Sequence, residues 1–119
     1  MKRKSYLYRL LLLAFVFCLS LTSNAQSASK KSDTFKVYGN CGMCKETIEG
    51  ALIKKDGVIK KSWDKKTKML SITYNESKLN LLQIKQKLAD VGYDTDEIRA
   101  KDETYNNLPD CCKYERPKK

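Results

Sequence analysis

Thr34-Phe35-Lys36-Val37-Tyr38-Gly39-Asn40-Cys41-Gly42-Met43-Cys44-Lys45-Glu46-Thr47-Ile48 changes its hydrophobic period halfway along. The first five residues alternate and are rich in β-formers. They predict a strand with Phe35 and Val37 on one face and Lys36 and Tyr38 on the other, ended by Gly39. From Cys44 to Lys55 the apolar positions Cys44, Ile48, Ala51 and Leu52 recur at helical spacing, with Lys45, Glu46, Glu49 and Lys54 elsewhere. That pattern predicts a helix, stopped at Asp56-Gly57 by a glycine suited to a left-handed cap. Two thiols, two residues apart, therefore stand where a strand hands over to a helix.

Downstream the pattern repeats with one strand inserted. Val58 to Trp63 predicts a second strand, in which Lys61 occupies a position where alternation calls for an apolar residue. Asp64-Lys65-Lys66-Thr67 is a turn, and Lys68 to Tyr74 predicts a third strand with Leu70, Ile72 and Tyr74 on one face; the short spacing makes strands two and three a hairpin. Asn80 caps a second helix, with Gln83 three residues on, and Leu81, Ile84, Leu88 and Val91 form its apolar stripe. Gly92 stops it, Tyr93-Asp94 turns the chain, and Thr95 to Arg99 predicts a short fourth strand. The β-α-β-β-α-β order predicts an α+β, ferredoxin-like sandwich: a four-stranded antiparallel sheet with both helices on one face. Its thin core falls to Phe35, Val37, Ile48, Leu52, Leu70, Ile72, Ile84 and Leu88.

The chain of 119 residues has room for one small domain, residues 34–100, and two flanking pieces. At the start, Lys2, Arg3, Lys4 and Arg9 precede an apolar run, Leu10 to Leu21, and then Ser23-Asn24-Ala25-Gln26. This is the three-part form of a secretory signal peptide, residues 1–25, cut after Ala25, which would place the protein in the periplasm. The run is shorter than the ~20 apolar residues of a membrane span, so retention as an anchor is the lesser alternative, and no stable membrane insertion is expected after the cut. Lipidation at Cys18 is disfavoured by the bulky Phe17 before it. Residues 26–33 read as a Ser-, Ala- and Lys-rich leader. Residues 101–119 form a tail containing Cys111-Cys112, too rich in aromatic and cysteine residues for a frayed end. The net charge of +10 is spread along the chain with acids interleaved, which gives a solvated basic surface and no nucleic-acid stripe.

The composition narrows the chemistry. There is no histidine, and there is no phosphate loop and no nucleophile elbow, so no catalytic set is visible and the chain reads as a non-enzyme. Any metal site must use thiolate, which favours soft ions such as Cu(I) and can also take Zn(II). Cys41 and Cys44 can both reach one ion when the second begins a helix, and a helix N-terminus stabilises thiolate. A two-thiolate site suits Cu(I) and underserves Zn(II), which wants four ligands. An open site of this kind also lets an incoming thiol attack the metal. Two rivals stand beside this reading. One is a thiol-disulfide redox protein, weakened by the different element order and by prolines only at Pro109 and Pro117. The other is a binding module stapled by disulfides, since the four cysteines that remain after the cut at Ala25 allow three pairings.

The strand, the glycine, the Cys-x-x-Cys, the helix, Gly57-Val58 and Val91-Gly92-Tyr93 resemble the heavy-metal-associated domain over Thr34 to about Ala100. This is the family of soft-metal chaperones, mercury-scavenging proteins and N-terminal modules of metal-pumping ATPases. The resemblance implies Cu(I) binding by Cys41 and Cys44, with Zn(II) or Hg(II) as other ions. It further implies a metal-transporting or efflux protein as the acceptor, and a monomer that a shared metal can bridge into a dimer. Two departures matter. The family form places a methionine two residues before the first cysteine, packed under the loop; here that position is Gly39. Met43 lies between the cysteines instead, where hydrophobic cover is the expected role and thioether ligation the alternative. Tyr93 matches the tyrosine that bacterial members place beside the metal loop, with a plain core aromatic as the other reading. The tail thiols Cys111 and Cys112 either fold back to extend the site or pair with the loop, or they face a partner; adjacent cysteines rarely bond each other.

Overall fold

The computed structural model describes residues 2–19 and 29–119. A helix, α1 (Lys2–Leu19), takes in the basic start and most of the apolar run. Its Leu7, Leu10, Leu11, Leu12, Leu13 and Phe15 side chains are exposed, and no described helix is long and apolar enough to cross a membrane. The expected cleavage position at Ala25 and the first leader residues lie outside the described residues.

Three strands, β1 (Lys30–Lys36), β2 (Val58–Trp63) and β3 (Met69–Asn75), form an antiparallel sheet in the order β1-β3-β2. The first strand starts four residues before the expected Thr34, pairing Lys30 with Asn75 through to Lys36 with Met69. Its early half carries no apolar alternation because its side chains make polar cross-strand contacts. The Ser32 and Thr73 hydroxyls stand 2.8 Å apart, and the Tyr74 hydroxyl donates to Asp33 at 2.7 Å. Residues 30–33, read from the sequence as leader, are therefore strand. In β2 the register slips between Val58 and Lys60, which accounts for the broken alternation there. Lys61 turns its ammonium to the carbonyl of Leu52.

Helix α2 (Gly42–Gly50) stops five residues short of Lys55. Its last turn tightens as Leu52 N–H donates to Glu49. A 3-10 turn at Lys54–Asp56 then leads to Gly57, whose φ of 113° only glycine adopts without strain. Helix α3 (Leu81–Asp90) carries the expected cap: Asn80 Oδ1 accepts from Gln83 N at 2.8 Å and Gln83 Oε1 accepts from Asn80 N at 2.9 Å. Such a cap contributes about 1 kcal/mol. All eight expected core residues are buried, joined by Trp63, Tyr74, Tyr93, Tyr114, Cys44 and Cys112.

The expected fourth strand is reduced to one antiparallel bridge, Val37 with Thr95. Local bonds win over the ladder. Thr95 N donates to Ile98 O at 2.9 Å, Thr95 Oγ1 accepts from Ile98 N at 3.1 Å, and the Asp94 carboxylate accepts from Ala100 N at 2.7 Å. Side chains that offer the backbone such partners compete with sheet formation.

Residues 101–119 are an integral part of the fold. A short helix, α4 (Asp102–Asn106), and a 3-10 turn at Asp110–Cys112 carry the chain to Tyr114. The Tyr114 ring stacks on Tyr93 at 5.8 Å between centroids and meets Tyr105 edge-on at 5.1 Å. Its hydroxyl donates to Gly92 O and accepts from Asp94 N, both at 2.8 Å. Leu108 closes over Gly92, where a Cβ would stand 3.0 Å from it. Tyr114→Phe leaves both buried backbone groups without their partner and is expected to cost about 1–3 kcal/mol. Urea unfolding would read this as a lower midpoint at unchanged slope; an unchanged midpoint would mean that the tail contributes nothing there.

Candidate metal centre

Cys41 is the N-cap of α2, with extended backbone (φ −136°, ψ 178°), and its carbonyl accepts the first helical bond from Lys45 N at 3.1 Å. Cys44 lies in the first turn and points inward, fully buried. The two sulfurs come within 3.5 Å, and Asn40 N–H points at Cys44 Sγ from 3.4 Å. The Cys44 backbone N–H aimed at Cys41 Sγ is the largest influence on that thiol and, against the opposing effect of burial, brings it down to about 7. The neighbouring Cys44 thiol, Met43 N–H and Cys112 thiol act in the same direction. This is the helix-terminus activation that a Cys-x-x-Cys spacing provides.

What holds the loop is a residue to which the sequence reading gave no role. Trp63, at the end of β2, slides its ring under Gly39, where a Cβ would come within 3.0 Å of the indole and 3.3 Å of Ile48. Its Nε1–H donates to Val37 O at 3.0 Å. The indole thus fills the space that the resemblance assigns to a methionine two positions before the first cysteine. The pairing of a missing side chain at residue 39 with a tryptophan at a strand end is the only sequence trace of this exchange.

The tail thiols come to the loop. Cys112 is buried, its sulfur 3.9 Å from that of Cys41. Cys111 is exposed, its sulfur 3.9 Å from Cys112 Sγ and 3.9 Å from the sulfur of Met43. Cys41, Cys111 and Cys112 have sulfurs within 4.8 Å of one another, and all three, with Cys44, are free thiols. The long return across the sheet that a fourth strand would impose is not needed. The bridge at Thr95 leaves the chain beside Val37, two residues from Gly39. Burial pushes the Cys112 thiol up to about 12, with Cys44 beside it adding to the effect. Met43 lies over the outside of the loop, half exposed.

Tyr93 is fully buried, and its hydroxyl is the one buried side-chain nitrogen or oxygen among the described residues without a hydrogen-bond partner. Burial, and the thiols of Cys44 and Cys112 next to it, push its ionisation well above the ordinary tyrosine range. It is thus a neutral, unpartnered O–H in the neighbourhood of two thiols.

No family model matches the chain. The copper chaperone CopZ of Staphylococcus aureus (strain JH9) is 36% identical over 55 residues, which cover 46% of this chain and 81% of that protein. Among solved structures, a CopZ metallochaperone superposes with a TM-score of 0.52 at 33% identity, over 55% of this chain and 98% of its own. Oxidised MerP from Ralstonia metallidurans CH34 superposes with a TM-score of 0.52 at 27% identity, over 56% of this chain and 93% of its own. Taken with a thiol pair at the start of α2, these likenesses show that the chain belongs to the heavy-metal-associated domain family, that of the copper chaperone CopZ.

Proposed function

We propose that this protein binds a soft metal ion, Cu(I), through Cys41 and Cys44 and passes it to an acceptor, a metal-transporting or efflux protein with thiols of its own. The observation that carries this reading is the pair of sulfurs 3.5 Å apart at the N-terminus of α2, one of them exposed enough to be reached. Transfer is ligand exchange. An acceptor thiolate bonds to the ion as the bond to Cys41 breaks, Cys41 keeps the electron pair, and it then takes a proton from solvent. No redox step and no catalysis are involved. The absence of histidine and the thiolate donors select a soft ion over harder competitors.

Export completes the reading. The basic start and apolar run of α1 fit a signal peptide ending at Ala25, and the mature carrier then works in the periplasm. Anaerobic loading of the protein tests the metal assignment. One equivalent of Cu(I) retained through desalting, and held against a competing chelator better than Zn(II), is the expected result. Rapid insulin reduction by a protein that retains no copper would favour the thiol-disulfide alternative. The mass of the secreted protein, beginning at Gln26, tests the export.

A further inference from the structure

We propose that the tail supplies a third metal ligand, Cys112, so that the ion is held by Cys41, Cys44 and Cys112 in a three-sulfur site that a two-residue loop alone cannot make. The inference rests on the carrier reading and extends it.

Distances argue first. At metal–thiolate bonds of about 2.3 Å, two sulfurs stand about 4.6 Å apart across a linear ion, about 4.0 Å in a trigonal set and about 3.8 Å in a tetrahedral one. The spacings here are 3.5 Å from Cys41 to Cys44 and 3.9 Å from Cys41 to Cys112. Both are shorter than the span of a linear two-sulfur site, and the second is close to that of a trigonal one. Cys112 thus brings a third sulfur up to Cys41 from outside the loop.

The unpartnered Tyr93 hydroxyl is an independent sign. A fully buried O–H without an acceptor costs about 1–3 kcal/mol, and this one stands beside Cys44 and Cys112. Metal binding turns those thiols into thiolates, each releasing one proton to solvent. The Tyr93 hydroxyl then has a charged acceptor, and its desolvation is offset only in the loaded state.

The tail is built to hold this position. Tyr114 and Arg116 fix the chain two and four residues beyond Cys112. Tyr114 bonds Gly92 and Asp94, and Arg116 grips the buried Asp94 carboxylate from 2.8 and 2.9 Å. A thiol placed so firmly against the loop lowers the freedom lost on ligation. Cys111 is left outside, next to Met43, as the exposed sulfur that an incoming acceptor meets first.

X-ray absorption on the unmodified full-length protein, loaded anaerobically with one equivalent of Cu(I), counts the sulfurs without any variant. Three sulfur ligands are expected. In Cys112→Ser the count falls to two and chelator competition shows about a 10- to 100-fold loss of Cu(I) affinity. A count that falls to two in Cys111→Ser and stays at three in Cys112→Ser would overturn the assignment of the third sulfur to Cys112. A count of two in the unmodified protein, or Cys112→Ser with unchanged count and affinity, overturns the proposal and leaves the carrier reading standing. An unmodified protein that retains no Cu(I) overturns both.

Discussion

Cys41→Ser is expected to lower Cu(I) affinity by about 100-fold or more. Structural four-ligand zinc sites hold their ion with about 10–16 kcal/mol, or roughly 2.5–4 kcal/mol per ligand, and 1.4 kcal/mol is tenfold. Serine keeps the shape of the N-cap and even caps a helix better than cysteine, so the fold survives while the thiolate is lost. That makes Cys41 the better test than Cys44. The latter is fully buried in the core, and serine there would add an unsatisfied hydroxyl to the lost ligand. Chelator competition on folded Cys41→Ser, with circular dichroism matching the parent, reads the loss directly. An affinity within threefold of the parent would mean that Cys41 is not a ligand. The S–S distances would then describe a packed thiol cluster rather than a carrier site.

The loop was legible because its signals are local. A period-two run, a glycine, two cysteines and a period-3.6 run need no knowledge of the rest of the chain, and the Asn80–Gln83 cap is equally local. Misreadings arose where distant residues decide. Residues 30–33 have no alternation to announce them as strand, and their partners are Thr73 and Tyr74, some 40 positions away. Thr95 to Arg99 has strand-like composition, yet the side chains of Asp94 and Thr95 bend it into turns. Trp63 reads as a strand end, and only the close approach of Gly39 shows that it supports the metal loop. The tail is the largest case. Its cysteines marked it as purposeful, but the stack of Tyr93, Tyr114 and Tyr105 that seats it joins residues with no common period.

The same tail makes the second large effect. Arg116→Leu is expected to cost about 3–5 kcal/mol at neutral pH, because it strands a buried charge. Asp94 is fully buried. Burial by itself would raise its carboxyl, but the Arg116 side chain, Ala100 N–H and the charges of Arg116 and Arg99 outweigh burial and hold it below its ordinary 3.8. A carboxyl depressed in the folded state adds stability that is present above about pH 4 and lost as pH falls through the folded value. In the variant the sign reverses. Burial remains and the main compensating charge is gone, so Asp94 favours the protonated form and contributes stability in mild acid that disappears as pH rises. The gap between parent and variant should therefore be widest near pH 7 and narrow toward pH 4. Urea unfolding at both values measures it. A gap below about 1 kcal/mol at pH 7 would show that water reaches Asp94 once Arg116 is gone.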